Sequence, residues 1–233
     1  MDRNGLNRLV EDVRTAARMP RVEIVLSRGA EDEDDVMRWF TGRHPRYKII
    51  GAKTFGVALL PLDAVADADD YLADKRYARR RVRRATRLGY SVEVFDADAH
   101  QQDLLAVHSS LPERQGRPID ADYLDPDATP RRGPNVDHLG VLLDGTVVAY
   151  TRLDYVGDIA GLGRVMGHGD HLDNGVMWLL MSGTVEHVKS TRPQARWLFY
   201  DMFFGAHAGL RSFKTNAGFR PYYVRWRREV PET

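Results

Sequence analysis

The sequence predicts an α/β protein of the α+β kind: a mixed, mostly antiparallel sheet flanked by helices, with a small N-terminal α/β extension. Three observations lead there. From residue 89 onward the apolar patterns alternate as strand, helix, loop, hairpin, strand, helix, strand, helix, strand. Asp144-Gly145 stands between two apolar runs, Val141–Leu143 and Thr146–Arg152, and this dipeptide supplies the two positive-φ positions of a tight hairpin turn. Val176 to Val188 is apolar nearly all round, as a helix packed on a sheet must be. At 233 residues the chain has room for one large domain, or a small unit joined to a core of about 140 residues.

In the extension, Leu6, Leu9, Val10, Val13 and Ala17 recur at helical spacing over residues 6–18, and Pro20 ends the run. Val22–Leu26 reads as a strand, and Asp34–Phe40 as a short helix with an acidic start. Tyr47–Ile50 and Thr54–Leu60 read as two strands joined at Gly51. Pro61 and the acidic stretch Asp63–Asp70 mark a boundary, giving a unit over 1–62 and a main domain over 71–233.

The main domain opens with a helix, Tyr71 to Leu88, stopped by Gly89, with Ala78, Val82, Ala85 and Leu88 as its inward stripe. Ser91–Phe95 alternates as a half-buried strand does, and Ala99–Leu111 reads as a helix. Pro112 to Asn135 holds five prolines and two glycines with little periodicity, a length that suits a segment closing over a ligand. The hairpin follows, then a strand leading to Gly163–Gly167. Asp173-Asn174 is placed to cap the apolar helix. Arg196–Asp201 is a buried strand, Ala208–Ala217 a helix stopped by Gly218, and Tyr222–Trp226 a last strand.

Composition excludes several classes. There is no cysteine, so disulfides, thiolate nucleophiles and cysteine-ligated metals are absent, and a reducing cytoplasm is expected. No apolar run approaches the roughly 18 residues that span a bilayer. Net charge is +1, so any basic surface is local.

That surface is one helix. Lys75, Arg76, Arg79, Arg80, Arg81, Arg83, Arg84 and Arg87 crowd it, with Asp74 as the nearby acid. A solvated helix face usually mixes signs at i, i+4 spacing. An unmixed one suits a phosphate backbone, with an acidic protein partner or simple solubilisation as the competing readings. The turn before the apolar helix, Gly167 to Val176, is acidic instead. A pyrophosphate held at a helix N-terminus would meet Asp170 and Asp173 there, and like charges about 4 Å apart cost roughly 4 kcal/mol at an effective dielectric near 20. His168 and His171 beside these aspartates are typical metal-ligand types, but turn and cap roles explain the four residues better, and no metal is expected.

Two segments carry a resemblance. The first is "YLADKRYARRRVRRATRLGYSVEV", Tyr71–Val94, followed by "LPERQGRPIDADYL"; the second is "LFYDMFFGAHAGLRSFKTNAGF", Leu198–Phe219. Their basic helix, glycine turn, strand and Arg-Gly loop, and then the aromatic-glycine turn before a Phe-Lys helix, resemble the Fem family of aminoacyl-tRNA-dependent transferases. That family uses a GNAT-like fold, usually twice in one chain, whereas this chain has room for one such domain. The resemblance implies transfer of an aminoacyl group from aminoacyl-tRNA to an amine, forming an amide without a cofactor. The acceptor is a small molecule or a peptide. It also implies that Lys214 of Phe213-Lys214 faces the reaction centre, where an oxyanion needs a positioned donor. Asp201 at a strand end and His207 just beyond it are the candidate proton acceptors. Tyr200, on the other face of that strand, and Phe213 are candidates to contact the substrate. Arg114 and Arg117 are candidates to hold a carboxylate or the tRNA end, with Lys75, Arg76, Arg79, Arg80, Arg83, Arg84 and Arg87 against the nucleic acid. The alternatives are an acyl-CoA-dependent N-acyltransferase with a degenerate pyrophosphate loop, in which only Gly175 fits the glycine positions, and a non-catalytic binding module. Composition leaves the oligomeric state open.

Overall fold

In the computed structural model of the chain, residues 18–26, 38, 40–42, 53–114, 117–125, 130–204 and 206–228 are described. The helices expected over 6–18 and 34–40 and the strand over 47–50 lie wholly or mainly outside them. The chain divides into two compact units. One comprises the described residues up to Leu60 with Val156–Ile159 and those from Trp197; the other comprises Pro61–Tyr155 and Ala160–Arg196.

The first unit draws on both ends of the chain because its strands pair across them. Their order is β1 (Arg21–Leu26), β10 (Arg220–Arg228), β2 (Phe55–Pro61) and β9 (Trp197–Met202). β1 runs parallel to β10, and β10 antiparallel to β2. Ile24, Leu26, Val57, Leu59, Phe199 and Val224 form its core. The helix α5 (Ala208–Asn216) belongs to this unit.

The second unit orders β8 (Ile159–Gly167), β7 (Thr146–Val156), β6 (Val136–Leu143) and β3 (Ser91–Val94). The Asp144-Gly145 turn forms as expected, at φ 50° and 81°, between Leu143 and Thr146 in register. Both strands of that hairpin run longer than the sequence pattern suggests. Successive residues of a strand face opposite ways, save where a register shift in the hairpin lets Val148 and Ala149 share a face, and here each face has its own helices. Val141, Val148 and Ala149 pack against Ala85 of α2 (Arg76–Arg87) and Val176, Leu179 and Leu180 of α4 (Val176–Thr191). Leu142, Val147 and Tyr150 pack instead against Leu104 and Val107 of α3 (Gln101–Ser109).

Three local expectations change. The helix expected over 71–88 is two, α1 (Ala68–Leu72) and α2. The break follows from Lys75, whose ammonium donates to the Tyr71 carbonyl at 2.7 Å while its backbone N–H donates to Leu72 at 3.1 Å, tightening the turn. Leu88 does not pack inward: it is 48% exposed, because it follows the last helical turn and Gly89, at φ 88°, turns the chain away. Asp173-Asn174 does not cap α4. The N-cap is Gly175, with no side-chain hydrogen bond, and the Asn174 amide donates to the Tyr90 hydroxyl instead. Gly175 is required there, since its φ is 94° and a Cβ would lie 2.5 Å from the Arg81 carbonyl oxygen of α2.

The expected ligand-closing segment, 112–135, is described in part. Glu113–Arg114 (β4) pairs with Arg117–Pro118 (β5), and a single 3-10 turn, Ala121–Tyr123, follows.

Candidate functional site

Burial of a lysine is unusual unless its charge is met by acceptors. Lys214 is 1% exposed. It lies in the last turn of α5, and its Nζ donates to the carbonyl oxygens of Tyr200 at 2.7 Å and Met202 at 2.8 Å, both in β9. Nζ also stands 4.5 Å from the centre of the Tyr200 ring. Burial lowers its pKa to about 8, partly offset by Asp201 and reinforced by Lys53. An ordinary surface lysine is thus excluded, and the ammonium ties the end of β9 to the helix that follows it.

Asp201 is at the bend in β9, at φ 48°, a conformation costly for a residue with a side chain. Its carboxylate is exposed and accepts from Lys53 Nζ. The Tyr200 ring meets Phe219 edge-on, at 5.6 Å between ring centres. His207 is exposed and N-caps α5, its Nδ1 accepting from the Gly209 N–H at 3.4 Å. Phe213 is half-buried beside Lys214 in sequence. The sequence candidates Lys214, Tyr200 and Asp201 therefore meet at one strand end, with His207 and Phe213 on the adjoining helix.

The second unit holds the remaining candidates and one site the sequence reading missed. Arg114 is not open to a ligand on all sides: it donates to the carbonyls of Gly167, at 3.1 Å, and Val107, and to Ser110 Oγ. Its guanidinium pins the start of the segment beyond Pro112. The side chain of Arg117 lies outside the described residues.

The missed site is a cavity of about 340 Å3 whose walls include His108, Tyr123, Tyr150, Arg152 and Arg164. His108 is 5% exposed. Its Nδ1 is 2.6 Å from the Tyr123 carbonyl oxygen and its Nε2 is 2.5 Å from the Tyr150 hydroxyl. A carbonyl only accepts, so Nδ1 carries the proton, and in the neutral ring Nε2 accepts from Tyr150. Burial, with Arg164 and Arg114 nearby, lowers the His108 pKa against the opposing bond to Tyr123 and keeps the ring neutral at pH 7. Burial raises the Tyr150 hydroxyl to about 12. Arg164 adopts φ 46° within β8 and stands over the Tyr123 ring at 4.6 Å. Nothing short-range marks these residues. The one signal is the spacing of Leu104 and His108 on one face of α3, which reads equally well as core.

On α2 the arginines divide. Arg76, Arg79, Arg80, Arg83 and Arg87, with Thr86 and Val82, line one surface groove, as i, i+3, i+4, i+7 and i+11 positions of a helix should. Arg81 and Arg84 turn away, donating to the Leu172 carbonyl and the Asn174 side chain, both at 3.3 Å. Lys75 is occupied by Tyr71 and Asp74. In the acidic turn Asp170 is 89% exposed, and His171 Nδ1 meets the Tyr90 hydroxyl at 2.6 Å. Among the described residues no three histidines, aspartates or glutamates are grouped to hold a metal ion, and no helix is long and apolar enough to cross a membrane.

No protein-family model matches the chain, and no curated protein sequence matches it. Solved structures do. The crystal structure of FemX aligns at 14% identity with a TM-score of 0.57, covering 72% of this chain and 59% of that one. The structure of L-PGS from Bacillus licheniformis aligns at 17% identity and TM-score 0.50, covering 72% and 58%. A conserved protein of unknown function from Bacteroides thetaiotaomicron aligns at 14% identity and TM-score 0.50, covering 70% and 55%. The chain thus spans less than two thirds of the length of each. The likeness is one of fold: a GNAT-like mixed sheet flanked by helices, as the two Fem-like segments imply.

Proposed function

We propose that this chain is a GNAT-fold acyltransferase that moves an aminoacyl group from aminoacyl-tRNA to an amine, forming an amide. The single observation that carries the donor assignment is the arginine groove of α2. Five guanidiniums share it, while the arginines that could have been neutralised by the fold, Arg81 and Arg84, point elsewhere. A row of like charges on one helix is costly to maintain and is offset by a polyanion. In the reaction, the amine nitrogen attacks the ester carbonyl carbon, and the tetrahedral oxyanion collapses with loss of the tRNA hydroxyl. Lys214 enters as a positioning residue. Its two bonds to β9 fix the strand end at which Asp201 presents its carboxylate.

The acyl-CoA reading has one observation in its favour. The N-terminus of α4, the end of a helix that favours an anion, carries no side-chain cap hydrogen bond. One experiment separates the two donors: titration of the full chain with bulk aminoacyl-tRNA and, separately, with acetyl-CoA, using wild type and an Arg79→Glu, Arg80→Glu, Arg83→Glu variant. The tRNA reading expects salt-sensitive tRNA binding that falls at least tenfold in the variant. Binding of acetyl-CoA, unchanged in the variant and without tRNA binding, sinks it.

A further inference from the structure

We infer that the cavity between α3 and β6–β8 is an acceptor site for a small zwitterion, an amine that also carries a carboxylate or phosphate, and that Tyr150 and His108 withdraw its proton. The assignment of the bound amine as the acyl acceptor rests on the transferase reading; the binding site itself does not.

Four features converge on it. The cavity, about 340 Å3, is at the lower end of the range that encloses small ligands. Its wall carries opposite charges, the cations Arg131, Arg152 and Arg164 and the carboxylates of Asp122 and Asp125. Arg152 is held by Asp154 through Nε and Nη2, both at 2.9 Å. Arg164 has no carboxylate partner among the described residues; its left-handed backbone in mid-strand turns its guanidinium over Tyr123, and it hydrogen-bonds the Tyr150 hydroxyl, which keeps a second lone pair for a ligand. A side chain held at such backbone cost, with its charge unmet, fits an anion supplied from outside. A carboxylate or phosphate on Arg164 leaves the ammonium end of the same molecule to Asp122 and Tyr150.

The hydrogen bonds already fix the direction of proton flow. Tyr123 orients the imidazole, so Nε2 is the basic atom and the Tyr150 proton points at it. An ammonium at the Tyr150 oxygen gives its proton to that oxygen as the Tyr150 proton passes to Nε2. The products are a neutral amine, an intact tyrosine and an imidazolium, and no other bond changes. The neutral amine is the nucleophile that amide formation requires. Burial keeps the imidazole unprotonated at pH 7, and it also makes the ring a weaker base than a free one.

The test uses the full chain labelled with 15N-histidine and contains neither tRNA nor acyl-CoA. The probes are a panel of the free L-amino acids with O-phosphoethanolamine, and beside them the amino-acid amides and N-acetyl derivatives. The expected result is that at least one zwitterion shifts the His108 ring signals. Its amide and N-acetyl counterparts do so at least tenfold more weakly, and Arg164→Gln weakens the zwitterion at least tenfold. Arg164 is exposed, so the variant is expected to fold, which its unliganded histidine spectrum checks. The inference is overturned if no zwitterion perturbs His108, if a counterpart lacking one charge binds as tightly, or if Arg164→Gln binds as wild type does. A failure of tRNA binding leaves this result standing, and the reverse also holds.

Discussion

At the scale of single residues, Lys214 and His108 are buried titratable groups with polar tasks, and each makes stability depend on pH in a defined sense. The unfolded lysine titrates near 10.5 and the folded one near 8, so between these values the unfolded chain binds more protons. Wild type therefore gains stability as pH rises through that window. Relative to Lys214→Met it gains about 2–3 kcal/mol between pH 7 and 10, read by urea denaturation at both pH values. A constant gap between the two proteins would show that the ammonium is not desolvated. His108 works in the opposite window. Its folded pKa lies below the ordinary 6.5, so as pH falls below 6.5 the unfolded chain protonates first and the folded state loses stability. His108→Gln should flatten that acid limb in the same experiment. Both residues carried readable clues of different quality. Lys214 was legible through its place in the Phe-Lys pattern, but its burial was not, because nothing local shows that two β9 carbonyls wait for it. His108 gave no more than an apolar-face spacing, since its partners stand 15 and 42 residues away.

At the scale of elements, α2 and its contact with the turn before α4 decide how the basic surface is presented. Gly175 lets the Arg81 carbonyl approach where a Cβ would be 2.5 Å away, and its φ of 94° disfavours any other residue. Gly145 has a comparable φ of 81° but open space around it. The two glycines thus separate strain from collision. Gly145→Ala should cost about 1 kcal/mol, the strain alone, and Gly175→Ala distinctly more, by chemical denaturation. Equal costs would mean that α2 shifts freely. The same element sets the salt dependence. Five arginines share the groove, so if all five meet phosphates, log Kd against log salt should slope by about 3.5 to 4.5, and by roughly 2 to 3 less in the triple glutamate variant. Equilibrium binding of bulk aminoacyl-tRNA across a salt series measures both. The helix was plain in the sequence. Its division at Lys75 was not, because a lysine ammonium capturing the Tyr71 carbonyl leaves the helical pattern of the residues intact.

At the scale of the whole molecule, the chain reproduces a GNAT-like fold over 72% of its length at 14% identity to FemX, which shows how little of the fold depends on particular side chains. The sequence by itself determined the order of strands and helices, the Asp144-Gly145 hairpin, the apolar character of α4 and the concentration of arginine on one helix. Each is written in spacings of a few residues, where the 2- and 3.6-residue periods and turn chemistry act directly. Only the tertiary structure decided that β1 and β2 join β10 from the far end of the chain, that Lys214 is buried against β9, and that Tyr123, Tyr150 and His108 meet around one cavity. Those outcomes depend on which faces are covered and which acceptors remain once they are. Distant segments settle that jointly, through burial and the need to satisfy every polar group it encloses.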